Sequence, residues 1–101
     1  MRLFVLLNPT NKRGTKTEYT KFRKYLLDQG FILFQNEIYM RVTADKKSNN
    51  KYIRSLTEHS PSTGIIRVIE MTEKQYNSIY YLVGNKNLQE IEIGNHQHIQ
   101  L

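Results

Sequence analysis

The sequence predicts a single α+β domain built around a central strand, and three observations carry that expectation. Leu3-Phe4-Val5-Leu6-Leu7 is apolar at every position, which suits a strand covered on both faces rather than a surface hairpin. From Thr15 the period changes. Tyr19, Phe22 and Leu26 recur at helical spacing, Thr15-Lys16-Thr17-Glu18 fits a capping box, and Gly30 supplies the stop. Phe31 to Thr43 then alternates as an extended chain does.

Taken in order, the first strand runs from Arg2 to Leu7 and ends at Asn8-Pro9, opening a loop of turn formers, Asn8 to Gly14. That loop has one glycine and no lysine-hydroxyl ending, so it is not a phosphate-cradling glycine loop. On the helix that follows, Lys21, Lys24 and Asp28 point away from the buried stripe, while Lys16 and Arg23 share one of its flanks. In the next extended stretch Phe34, Asn36, Ile38, Met40 and Val42 fall on one side, and Gln35, Glu37, Tyr39 and Arg41 on the other. The apolar side is expected to meet the helices, and the polar side either water or another subunit. Asn36 marks either a bend in one strand or a break between two. Asn49 is the expected cap of a second helix through His59, packed by Tyr52, Ile53 and Leu56. Ile65 to Met71 is apolar on both sides and reads as an interior strand. Thr72-Glu73-Lys74-Gln75 repeats the capping signal, and Ile79 to Val83 reads as a further strand stopped by Gly84-Asn85. Residues 1–84 thus form the core of one domain spanning 1–101, and 85–101 form a terminal strand with little core of its own to join.

At 101 residues the chain holds one core but gains from pairing with a second copy. Its 39% hydrophobic and 24% charged residues are those of a folded globule. No apolar run is long enough to span a bilayer, and the first strand is wrongly flanked for a signal peptide, so the expected location is cytoplasmic. The absence of cysteine excludes disulfides, thiolate zinc sites and cysteine nucleophiles. A net charge of +6 calls for an anionic partner. Through Lys24 there are seven basic residues against one acid, Glu18, so the charge is concentrated in the first quarter of the chain. Lys12, Arg13, Lys16 and Arg23 form a row able to follow a phosphate backbone, with Lys46, Lys47, Lys51 and Arg54 as the alternative cluster. His96 and His98 share one side of the terminal strand, but no third metal ligand accompanies them. Nor is there a serine, histidine and acid arrangement or a close carboxylate pair to support another kind of hydrolase.

Met1-Arg2-Leu3, the segment from Tyr19 to Ile32, Gln35-Asn36-Glu37-Ile38-Tyr39, Thr72 to Tyr76, and Leu82-Val83-Gly84 together resemble the CRISPR-associated protein two family, in the form found beside type II systems. The resemblance covers nearly the whole chain. It implies a ferredoxin-like β-α-β-β-α-β sandwich with an extra C-terminal strand, working as a homodimer in which that strand lies on the partner's sheet. Ile91, Ile93, Ile99 and Leu101 are then the expected dimer contacts. It also implies a role in spacer acquisition, holding duplex DNA beside an integrase. Many members are described as magnesium-dependent endonucleases acting on single-stranded RNA or duplex DNA.

The departures bear on chemistry. Where the family pattern ends its first strand with an aspartate followed one residue later by proline, this chain has Asn8 with Pro9 directly after it. The resemblance makes that aspartate, one from each subunit, the magnesium site. Two asparagines bring no negative charge there, so metal-activated hydrolysis is expected to suffer. The bland reading of Asn8-Pro9 is a turn that caps the strand end. Glu37 stands where the family has a serine, and is either a replacement carboxylate or a solvated strand residue. Three functions follow, in this order: a non-catalytic duplex-holding scaffold for spacer acquisition, a metal-dependent endonuclease, and a ferredoxin-like RNA-binding module. The last needs stacking aromatics on an open sheet, and the aromatic-basic signature of such sheets is missing.

Overall fold

The computed structural model describes residues 1–84, in the order β1 (Arg2–Asn8), α1 (Thr15–Asp28), β2 (Ile32–Gln35), β3 (Ile38–Val42), α2 (Lys46–His59), β4 (Ile65–Met71) and α3 (Glu73–Asn77). The terminal strand, with Ile91, Ile93, Ile99, Leu101 and the two tail histidines, lies outside the described residues. The four strands form one antiparallel sheet in the order β2-β3-β1-β4. This is the α+β, ferredoxin-like arrangement expected, with the all-apolar strand in an interior position.

The two faces of β1 serve two cores. Leu3, Val5 and Leu7 pack with Tyr19, Phe22 and Leu26 of α1 and with Phe31, Tyr39 and Leu56. On the other face Phe4 meets Met40 and Tyr76, with Ile32, Phe34, Ile38 and Val42 packed around them. Burying each such side chain contributes about 1.5–3 kcal/mol, so α1 is held by its stripe of three rather than by propensity.

The expected face assignment of β3 is reversed: Tyr39 lies on the helix side, and Phe34, Ile38, Met40 and Val42 lie on the opposite face. The polar residues on the helix side are used there. Arg41 Nη1 donates to the Gln29 carbonyl at 3.0 Å, closing the end of α1, and its guanidinium sits 4.9 Å from the Tyr52 ring. The break at Asn36 is real. Asn36-Glu37 turns the chain between β2 and β3, and Glu37 takes φ 61°, a left-handed conformation that a β-carbon disfavours.

The helix starts also differ from those expected. α1 begins after Gly14 with no side-chain cap, because the Thr15 hydroxyl is drawn instead to Thr63 at 2.8 Å and Thr10 at 3.3 Å. Asp45, not Asn49, caps α2 by accepting from the Ser48 N–H at 2.8 Å. Asn49 lies one turn inside the helix, fully buried, and donates to Glu70 at 3.0 Å. The capping box at Thr72 forms as expected, with both reciprocal bonds to Gln75. It sets α3 so that Glu73 takes both Arg2 Nε and Nη2, at 2.9 and 3.0 Å, and the buried Arg2 guanidinium rests 3.8 Å from the Tyr76 ring.

β4 is an edge strand among the described residues, not an interior one, and Ile65 and Ile69 remain 49% and 42% exposed. Its helix-side residues Ile66 and Val68 are covered, but nothing described covers the opposite side at those two isoleucines. Ile79 to Val83 forms no strand among the described residues, and Tyr80, Leu82 and Val83 are exposed. A run of β-prone residues makes a strand only where a neighbouring backbone can take up its hydrogen bonds.

Candidate nucleic-acid interface at the end of the central strand

β1 delivers Asn8 to one end of the sheet, and three segments converge on it. Asn8 is exposed and pairs with Ile65 at the start of β4. The Leu7 N–H donates to the Glu37 carbonyl at 2.8 Å, which brings the β2–β3 turn alongside. The loop before β4 closes the third side: Tyr19 Oη donates to the Thr63 carbonyl at 2.8 Å, and Thr63 also holds the buried Thr15 hydroxyl. Gly64, at φ 85°, is required at this junction, because a β-carbon would run into the Tyr19 hydroxyl and the Asn8 carbonyl.

The basic row is laid along this end. Lys12 and Arg13 sit on the exposed loop between β1 and α1, shaped by a bond from the Lys12 N–H to Thr10 Oγ1 at 3.3 Å. Lys16 is exposed on the first turn of α1, and Lys21 and Lys24 follow on its outer side. Among the described residues none of these five forms an ion pair. The acid nearest to them in sequence, Glu18, is turned away, its carboxylate accepting from the Ser62 hydroxyl at 3.0 Å. The positive charge is therefore little compensated locally.

Arg23 is placed differently. Its Nε and Nη2 donate to the two Glu37 oxygens at 3.0 and 2.7 Å, a bidentate pair. The hydrogen bond to Glu37 raises the Arg23 pKa above its ordinary range. Tyr19 and Tyr39 both lie beside this pair. Burial is the main cause that raises both phenols above the usual 10.0, with the Glu37 carboxylate adding to it and Arg23 opposing. The pairing escapes sequence reading, and its signal is slight: opposite charges 14 residues apart with a short turn beside one of them.

Away from this end, His59 closes α2, its Nδ1 within 2.9 Å of the Ser55 carbonyl and its ring stacked 3.9 Å from Tyr25. Tyr39 is buried in the helix-side core, and Tyr80 is exposed. Magnesium is the metal the resemblance implies, and the donors at the strand end do not fit it. Asn8 offers a neutral amide, both oxygens of Glu37 are taken by Arg23, and the described residues contain no group of three or more His, Asp or Glu able to hold a metal.

A pH dependence of stability follows from the tyrosines. A phenol whose folded pKa is raised keeps its proton better when folded, so stability is complete below about 10 and falls as pH rises through the raised value. Tyr19→Phe is expected to cost about 1 kcal/mol at neutral pH, since it leaves the Thr63 carbonyl without its donor. It should also lessen the alkaline loss. Urea unfolding at neutral and alkaline pH checks both; an unchanged midpoint at neutral pH would contradict the role given to the hydroxyl.

Fold and site together define a small basic ferredoxin-like domain whose charge gathers at one end of its sheet. The family model for CRISPR associated protein Cas2 matches residues 13–79. The chain is 38% identical over 87 residues to a CRISPR-associated endoribonuclease Cas2 of Ligilactobacillus salivarius, covering 85% of this chain and 86% of the relative. It is 34% identical over 88 residues to a Streptococcus mutans protein of the same name, covering 86% and 81%. A third, from Acidovorax ebreus, is 33% identical over 94 residues, covering 92% of each chain. The chain belongs to the CRISPR-associated protein Cas2 family. No helix among the described residues is long and apolar enough to cross a membrane.

Proposed function

We propose that this chain is a duplex-holding component of CRISPR spacer acquisition that works as a homodimer beside an integrase and cleaves nucleic acid poorly or not at all. The observation that carries the reading is the combination at one sheet end of Lys12, Arg13 and Lys16, without ion pairs among the described residues, with a neutral Asn8. Lysine and arginine on an exposed loop and first helical turn suit phosphates, which are read without regard to sequence. A neutral amide suits positioning rather than metal-activated hydrolysis.

Pairing of two copies is supported by the apolar residues left open on the second sheet face and edge, Ile65 and Ile69, and by the exposed Leu82 and Val83 just before the terminal segment. Ile91, Ile93, Ile99 and Leu101 are the proposed contacts beyond them. The competing reading is the endoribonuclease activity in the relatives' names, which the resemblance extends to duplex DNA with magnesium as cofactor. The two readings share a dimer and differ in what becomes of the nucleic acid.

The test is sedimentation of the purified chain at micromolar concentration, alone and with a short DNA duplex. Two chains are expected in both samples, with the duplex cosedimenting and released by salt. A monomer throughout, or a dimer indifferent to duplex, would remove the proposal.

A further inference from the structure

Glu37 and Arg23 form the only bidentate ion pair at the basic end of the sheet among the described residues, and it joins two features that are otherwise unexplained. The first is backbone strain: Glu37 is the one non-glycine residue with positive φ among those described, in a turn where asparagine or glycine would be at ease. The second is the placement of an acid at all. The pair lies at the end of the sheet that carries Asn8, because the Glu37 carbonyl is bonded to the Leu7 N–H, and Arg23 lies on the Lys16 flank of α1. Carboxylate and phosphate present the same two-oxygen edge to a guanidinium, so Glu37 occupies the two N–H groups that a phosphate would take. With side chains 31% and 27% exposed, the pair is open to water and to exchange.

We propose that Glu37 is an internal phosphate mimic that holds Arg23 in reserve, so that Arg23 joins the nucleic-acid interface only when a backbone phosphate displaces the Glu37 carboxylate. The device lowers non-specific affinity without removing the cation. It also gives the Glu37 carboxylate a role in binding, distinct from the replacement metal ligand that its position first suggests. The proposal rests on the duplex-binding reading above, and its test separates the two.

The probe is a short fluorescent DNA duplex of arbitrary sequence, titrated with the full chain over a range of salt. Glu37→Gln removes the charge and keeps the shape. Glu37→Asn is too short to reach Arg23 and suits the left-handed turn, so it guards against a folding artefact. Both are expected to tighten binding about fivefold at low salt and to steepen the salt slope by about 0.9 for each further phosphate neutralised. Arg23→Gln in the Glu37→Gln background should cancel that gain, and Glu18→Gln, which removes an acid bonded to Ser62, should not reproduce it. Unchanged binding in both Glu37 variants would overturn the proposal, as would an equal gain in Glu18→Gln or a gain that survives loss of Arg23. If substitution of Lys12, Arg13 and Lys16 still weakens binding in those cases, the duplex-binding reading stands alone; if it does not, both fall.

Discussion

Asn8→Asp is expected to introduce or sharply raise magnesium-dependent cleavage while leaving duplex binding and the fold unchanged. The unmodified chain should show little. Magnesium is held chiefly by hard, charged oxygens, and the activation of water depends on that hold. In the proposed dimer, asparagine at this position would bring two neutral amides together, where aspartate would bring two carboxylates. Glu37 does not repair the deficit, because Arg23 takes both of its oxygens. The substitution is nearly isosteric at an exposed strand end, where the backbone pairing with Ile65 does not depend on the side chain. Cleavage of labelled single-stranded RNA and duplex DNA with and without magnesium, for both proteins, measures the effect. Robust magnesium-dependent cleavage by the unmodified chain, abolished in Asn8→Ala, would show that the amide suffices and would reverse the ranking of scaffold over nuclease.

The second large effect is on binding. Replacing Lys12, Arg13, Lys16 and Arg23 together with glutamine should weaken duplex binding by ~100-fold or more at moderate salt. The fall should be about equal for unrelated sequences, and the salt slope should flatten by about 0.9 for each phosphate no longer neutralised. Most of the change should come from the first three. Arg23 begins already engaged with Glu37, whereas the others form no ion pair among the described residues. Fluorescence titrations at several salt concentrations with two unrelated duplexes give affinity and slope at once. Unaltered affinity would move the interface to Lys46, Lys47, Lys51 and Arg54 on α2, or end the idea of a basic surface that binds nucleic acid.

What the sequence discloses depends on how local its cause is. The central strand is legible because Leu3 to Leu7 is apolar on both alternating faces, and both faces are covered. The α1 stripe is legible from spacing alone, and the Thr72 cap from four adjacent residues. The helix-facing side of β3 is not legible, because polar residues there are not exposed ones. Arg41 and Glu37 point towards the helices and find a carbonyl and a guanidinium there, a choice made by tertiary structure. Thr15 and Glu18 carry a capping signal that the loop at 61–64 outbids, drawing their oxygens to Thr63 and Ser62. Edge or interior rank, as for β4, belongs to the assembled sheet and leaves no mark in a segment's own composition. Within the site, the positions of Asn8 and of the exposed row Lys12, Arg13 and Lys16 follow from strand, loop and helix in turn. The engagement of Arg23 does not, because it requires the hairpin turn to be folded against α1.

Holding duplex nucleic acid without cutting it is the behaviour proposed for the chain. One measurement addresses both halves: a labelled DNA duplex incubated with the unmodified protein and magnesium, with bound fraction and strand length read from the same sample across a salt series. Holding without cutting predicts full-length strands throughout, retained at low salt and released steeply as salt rises. Strands shortened in step with binding, and only when magnesium is present, would contradict it.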